Sequence, residues 1–383
     1  VAVEIAPLII DIGQELHPEQ PYAALKGVIQ DKQDARSFFR TDSNKYDLIV
    51  FGLLDSHTLF STASSLRIDN FVYTIESLTE VRNLLKNEGL LVLSFGIPEE
   101  NNWVGLRLFK NLTKAFGHTP QTHEYLSGNI VFMIGHQPVI EPLIDNPFVK
   151  PRPDYGLIDN LPETTDNWPY LYLRERVIPK TYIIALLGVI LISYLFVRKL
   201  FPNFRQFNMH FFFMGTAFFL LETKSITEIA LLLGSTWIVN AAVIAAILLM
   251  IVLANIYVEK RNLTDPRPLY ILLSLTLIIN FFVPIGSFLG LSIIWRIIIA
   301  SLMQAVPLFF AGMIFAITFS KTPSIEIALG SNILGSVVGG ILEYSSLILG
   351  IRSLYLLALL FYILSALPIF KSRIIRNVSL ETP

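Results

Sequence analysis

Polar and apolar positions alternate in two different ways on either side of Lys180. Before it, short β-branched runs alternate with helix-length amphipathic runs, the pattern of a parallel sheet with helices on both faces. The runs predict strands over 1–5, 27–29, 47–52, 90–95 and 130–135 and helices over 8–16, 35–40, 72–87 and 104–116. The third and fourth strands, DLIVFG and LLVLSF, are so uniformly apolar that they read as buried on both faces. After Lys180, seven apolar segments follow one another, at 181–197, 211–237, 239–258, 269–289, 293–319, 327–349 and 354–370. A span needs about 20 mostly apolar residues to cross roughly 30 Å of hydrocarbon, so the second half reads as an all-α polytopic membrane domain.

Between the halves, from Gly135 to Lys180, the chain turns to Pro, Asn and Asp and ends in the aromatic cluster NWPYLYL. This predicts a linker whose Trp168, Tyr170 and Tyr172 suit the headgroup layer or pack on the soluble half. The expected organisation is therefore a soluble α/β domain over 1–140, a linker and interfacial segment over 141–180, a membrane domain over 181–372 and a tail over 373–383. The opening residues VAVEIAP read as a strand already under way, not as a signal peptide, which predicts an N-terminally truncated domain.

Composition narrows the chemistry. Up to and including Lys180 there are 16 Lys and Arg against 23 Asp and Glu; beyond it the balance is 13 against 7. An acidic soluble half argues against a nucleic-acid partner. The chain has no cysteine, which excludes disulfides, thiolate catalysis and Cys-ligated metals. Its six histidines never stand at the i, i+4 spacing of a helical zinc site, so no metal is expected.

In a doubly wound sheet the ligand lies outside the carboxyl ends of the strands. Glu4 closes the first strand, Asp34 follows the second, and Gly52 to Asp55 close the third. A carboxylate at the first such end suits ribose hydroxyls, because it accepts from both. As plain structure, Glu4 and Asp34 are exposed loop carboxylates, and Asp55 in Asp-Ser-His-Thr is a helix N-cap.

VEIAP (3–7), DAR (34–36), YDLIVFGLLD (46–55) and LKNEGLLVLSF (85–95) together resemble, in order, the second half of the nucleoside-binding core of spermidine synthases and related S-adenosylmethionine-dependent methyltransferases. The resemblance covers about 1–135 and implies a partial, Rossmann-like, methyltransferase-like doubly wound sheet. It also implies S-adenosylmethionine or its decarboxylated form as cosubstrate, with Glu4 on the ribose and Asp34, beside Ala35, at the adenine amino group. The family's Gly-rich loop would precede Val1. Two departures stand out. The family's run D-x-x-D-P is here Gly52-Leu53-Leu54-Asp55-Ser56, so the usual base position holds Gly52 and only Asp55 is left to orient an acceptor. Ala6 stands where the family often has Asp.

The second apolar segment carries Glu222, Lys224 and Glu228, and an ionisable group at membrane depth costs about 2.5 to 3.5 kcal/mol on insertion scales. Lys224 and Glu228 stand four apart and can neutralise each other, which leaves Glu222 needing a partner. In the sixth segment Ser331, Gly335, Gly339 and Glu343 form one stripe of small residues ending in a carboxylate. Glu343 is then either a polar packing clamp or a proton, cation or polyamine site shared with Glu222. FFLLETKSITEIALLLGSTWIVN (218–240) and ALGSNILGSVVGGILEY (328–344) resemble segments of large membrane proteins in which spermidine synthase-like domains are fused to multi-span, transporter-like halves.

These readings converge on a bacterial plasma-membrane protein with a cytoplasmic soluble half that transfers an aminopropyl or methyl group to a small amine. The alternative is a non-catalytic nucleoside or polyamine sensor or scaffold on a transporter-like domain. Partners are the lipid bilayer and a small amine or nucleoside. Seven crossings would set the charge bias of the loops against a cytoplasmic soluble half, whereas a re-entrant 211–237 would reconcile the two.

Overall fold

The computed structural model describes residues 1–18, 29–52, 70–97, 102–125, 129–139, 149–151, 160–200, 207–233, 237–283, 285–288 and 291–378. The chain divides into two compact units, Val1–Val177 with Leu233–Thr236, and Ile178–Leu232 with Trp237–Pro383.

The first unit begins with β1 (Ala2–Val3), α1 (Pro7–Leu16), β2 (Gln30–Asp31), α2 (Ala35–Thr41) and β3 (Tyr46–Phe51). It continues through a 3-10 turn at Asn70–Tyr73, α3 (Ile75–Leu84), β4 (Leu85–Gly96), α4 (Asn102–Phe116), β5 (Gln121–Tyr125), β6 (Asn129–Gly135) and β7 (Val149–Pro151). β1 and β2 pair in parallel as a sheet of their own, and the other strands form a second sheet in the order β3-β4-β6-β5-β7. Only β3 and β4 are parallel in that sheet; β6 runs antiparallel between β4 and β5, and β7 is antiparallel to β5. The expected all-parallel sheet is thus replaced by a mixed one.

The second strand is found at Gln30–Asp31, past the expected 27–29, of which 27–28 lie outside the described residues. The third helix ends at Leu84 rather than 87, because Leu85 already pairs with Tyr46. β3 departs from the expectation of burial on both faces: Leu48 and Val50 are 54% and 58% exposed. β4 alternates instead, with Leu91, Leu93 and Phe95 sealed in the core beside Leu78, Val81, Leu108, Leu112 and Phe132. Burying such side chains contributes roughly 1.5 to 3 kcal/mol each, and α3 and α4 pack together over this layer.

The second unit contains α5 (Lys180–Leu200), α6 (Met209–Leu233), α7 (Trp237–Arg261), α8 (Arg267–Phe282), α9 (Ile293–Phe319), α10 (Ile325–Leu342), α11 (Ser346–Leu349) and α12 (Ser353–Val378). Among the described residues, four stretches are long and apolar enough to cross a membrane: Val243–Arg261, Ser301–Phe319, Ile325–Leu349 and Ser353–Lys371. Lys180–Phe196 and Arg267–Phe282 are shorter apolar helices. α6 is one continuous helix of 25 residues. The expected turn at Gly234-Ser235-Thr236 lies outside the described residues. Outward faces such as Ile184, Leu187 and Leu191 on α5 and Leu248, Leu249 and Val252 on α7 are exposed and apolar, which fits a lipid solvent.

α6 and α10 approach closely along the small-residue stripe. Ser331, Gly335 and Gly339 are buried, and a Cβ on Gly339 would lie 2.7 Å from Thr216 O. Thr216 Oγ1 donates to Gly335 O at 2.9 Å, and Asn332 Nδ2 donates to Phe211 O at 3.2 Å. Backbone contact of this kind needs small residues on the facing helix, which is why the stripe has them.

Candidate functional sites

Glu4 directly follows β1, and Asp34 lies three residues beyond the end of its parallel neighbour β2. Parallel pairing brings both carboxylates to the same end of the pair. Glu4 Oε1 accepts from Ala6 N at 2.9 Å, so Ala6, with no side-chain carboxylate of its own, supplies the turn that holds Glu4. Asp34 is the N-cap of α2, its Oδ1 accepting from Ser37 N at 3.1 Å. Ala35, the first residue of α2, lines an apolar groove with Val1 and Val3 of the first sheet and Leu48, Val50 and Phe51 of the second. Gly52 directly follows β3 and is exposed, and among the described residues nothing lies within 4 Å of where its Cβ would stand. Asp55 lies outside the described residues.

α2 is held by a buried ionic cluster that sequence reasoning missed. Asp166 bridges Arg36 at 2.9 Å and Arg40 at 3.2 Å and accepts from Thr74 Oγ1 at 2.8 Å. Glu80 completes the cluster on Arg40 at 2.6 Å, and Asp166 N donates to Glu76 Oε2 at 3.0 Å. Burial lowers the pKa of Arg36, opposed chiefly by Asp166, and burial raises those of Glu76 and Glu80. The cluster therefore fixes the helix whose first turn presents Asp34.

Asp166 belongs to a segment expected as linker. Instead, Trp168 and Tyr170 are each 1% exposed within the first unit, which removes them from the headgroup layer. Arg107 on α4 fastens this segment. Its Nε donates to Pro162 O at 2.7 Å, Nη1 to Tyr170 O and Leu171 O at 3.1 and 2.6 Å, and Nη2 to Arg174 O at 2.9 Å. Its guanidinium lies 5.1 and 5.2 Å from the ring centroids of Trp103 and Trp168. Burial pushes its pKa down to about 9, with Arg176 adding a like charge.

In the second unit the expected Lys224–Glu228 ion pair forms, with Lys224 1% exposed. Tyr355 Oη and Gln304 Nε2 also donate to Glu228 Oε2, at 2.6 and 2.5 Å. Ser225 Oγ donates to Gln304 Oε1 at 2.9 Å, and Lys224 Nζ sits 4.6 Å from the Tyr355 ring centroid. Sequence reasoning missed Tyr355 and Gln304; the available signal was a polar side chain inside an apolar run. Glu222 is half-buried and has no hydrogen-bond or ion-pair partner among the described residues. Glu343 is buried as the stripe requires, but it opens a 3-10 turn just after α10.

Among the described residues no three His, Asp or Glu side chains gather in a way that could hold a metal ion. No protein-family model, characterised protein or solved structure matches the chain.

Proposed function

We propose that this is an integral membrane protein whose first unit binds an S-adenosylmethionine-type nucleoside and resembles the membrane-fused spermidine synthase-like proteins. The observation that carries the reading is the parallel β1–β2 pair, with Glu4 and Asp34 emerging at one end. In doubly wound sheets, ribose and base are held at such strand ends. The residues fit the ligand: beyond the bond from Ala6 N, Glu4 keeps Oε2 for ribose hydroxyls. Asp34 stays anchored by its cap, and Ala35 leaves an apolar wall beside it.

In the transfer reading, the nitrogen of a small amine attacks the aminopropyl or methyl carbon of the donor. A C–N bond forms, the C–S bond breaks with its electrons passing to sulfur, and the product ammonium gives up a proton. Asp55 is assigned to orient the amine. This reading has the first unit on the cytoplasmic side of a bacterial plasma membrane, with 211–237 re-entrant so that the charge bias of the loops agrees.

Gly52 favours a second reading, because the usual base position at this strand end holds no carboxylate to take a proton from an amine. The unit is then a nucleoside or polyamine sensor attached to a transporter-like membrane domain. Incubating the detergent-solubilised full chain with labelled donor and putrescine separates the two: labelled product supports transfer, whereas donor binding without product supports the sensor.

A further inference from the structure

The nucleoside reading makes no use of the polar cluster in the second unit, and the geometry of that cluster points to a separate activity. We propose that Glu228 is a proton-binding site of the membrane unit, taking a proton from the aqueous phase and returning it.

The argument rests on a hydrogen-bond chain that works in two directions. With Glu228 ionised, Lys224 pairs with Oε1 while Tyr355 Oη and Gln304 Nε2 donate to Oε2. Tyr355 Oη also lies 3.3 Å from Gln304 Oε1, within reach as a donor. When Glu228 takes up a proton, its new O–H donates to Tyr355 Oη, and the tyrosine O–H swings to Gln304 Oε1. Three side chains thus accommodate one more proton by reorienting hydrogens, with no heavy atom displaced.

The ion pair is lost in that state, yet Lys224 is not stranded. Its ammonium already faces the Tyr355 ring at 4.6 Å, where the negative face of the ring attracts a desolvated cation. The proton adds to a carboxylate that becomes a neutral acid, so the cluster passes from net zero to one positive charge. No redox partner or leaving group is involved.

Among the described residues, the charged and titratable groups facing Glu228 are Lys224 on α6 and Tyr355 on α12, with Arg352 acting on Lys224 through space from just before α12. α9 contributes the neutral Gln304, and α8 contributes Asn280, buried and bonded to Met303 O at 2.8 Å. A purely structural ion pair needs neither the reversible tyrosine nor the aromatic face. Ionisable groups inside membrane units otherwise mark ion and proton pathways.

Infrared difference spectroscopy of the detergent-solubilised full chain, stepped from about pH 9 to about pH 4, tests the proposal. A carboxylic C=O band should grow in as pH falls, shift down in heavy water and disappear in Glu228→Gln. Tyr355→Phe keeps the ring and the carboxylate but removes the relay oxygen; the band should remain and move to higher frequency. Identical difference spectra for wild type and Glu228→Gln would overturn the site. If Glu228→Gln fails to fold, Tyr355→Phe decides alone, and an unmoved band would overturn the relay on which the proposal rests.

Discussion

Replacing Arg107 with Met keeps most of the side-chain volume but removes the donors that clamp residues 161–174 onto α4. Four carbonyls, those of Pro162, Tyr170, Leu171 and Arg174, lose their charged partner. Hydrogen bonds to a charged group are worth about 1.5 to 3 kcal/mol each. Removing a buried charge also recovers its desolvation cost, so the simple sum overstates the loss. The nearer comparison is the removal of one partner from a buried pair, about 3 to 5 kcal/mol. A loss near 4 kcal/mol in a unit of this size should lower its melting temperature by roughly 10 °C. Trp103 and Trp168 stack on the guanidinium, so tryptophan fluorescence during heating reports the event directly. Arg107→Lys should recover only part of the loss, since one ammonium lacks the fork that reaches four carbonyls. An Arg107→Met protein that melts within about 1 °C of wild type would refute the clamp.

Gly339→Leu should destabilise the second unit by several kcal/mol, read as early aggregation on heating, because the new side chain starts 2.7 Å from Thr216 O; wild-type behaviour would contradict the close α6–α10 approach. Burial holds the His123 imidazole below its usual pKa of 6.5, and neither ring nitrogen has a hydrogen-bond partner among the described residues. The unfolded chain therefore binds the extra proton, so this stability is full above about pH 6.5 and falls below it by at most about 1.4 kcal/mol per pH unit. His123→Phe should flatten denaturant midpoints over that window; an unchanged slope would exclude His123 as its source. Gly52→Asp should raise any aminopropyl transfer by supplying a base at the end of β3, and turnover equal to wild type would place the base elsewhere.

The parts of the fold written in one short stretch of sequence were legible. α2 and α4 appear within two residues of expectation because capping and the 3.6-residue period are local. β5 was not legible: Gln121-Thr122-His123-Glu124-Tyr125 has no apolar alternation and is a strand because β6 and β7 pair with its two edges. The docking of 160–177 on the soluble half was one of two readings its aromatic cluster left open, and the partners that hold it were not legible. Its burial depends on Arg107 and Arg36, 63 or more residues away from their respective partners Tyr170 and Asp166. In the membrane half, the Lys224–Glu228 pair was readable from its four-residue spacing, whereas Gln304 and Tyr355 come from two other helices that no local pattern links to α6. Glu4 and Asp34 were assigned from strand ends and from the family resemblance, and the parallel pairing expected of those strands is found between β1 and β2.

Equilibrium binding by calorimetry tests the nucleoside site most directly. The detergent-solubilised full chain would be titrated with S-adenosylmethionine and with its decarboxylated form, alongside Glu4→Gln and Asp34→Asn. The amides keep an acceptor for Ala6 N and Ser37 N, so the local turns persist while the charge is lost. Each charge-assisted bond is worth about 1.5 to 3 kcal/mol. The account predicts saturable binding to the wild type, weakened about tenfold or more by either substitution. Equal affinity in all three proteins, or no binding to the wild type, would contradict it.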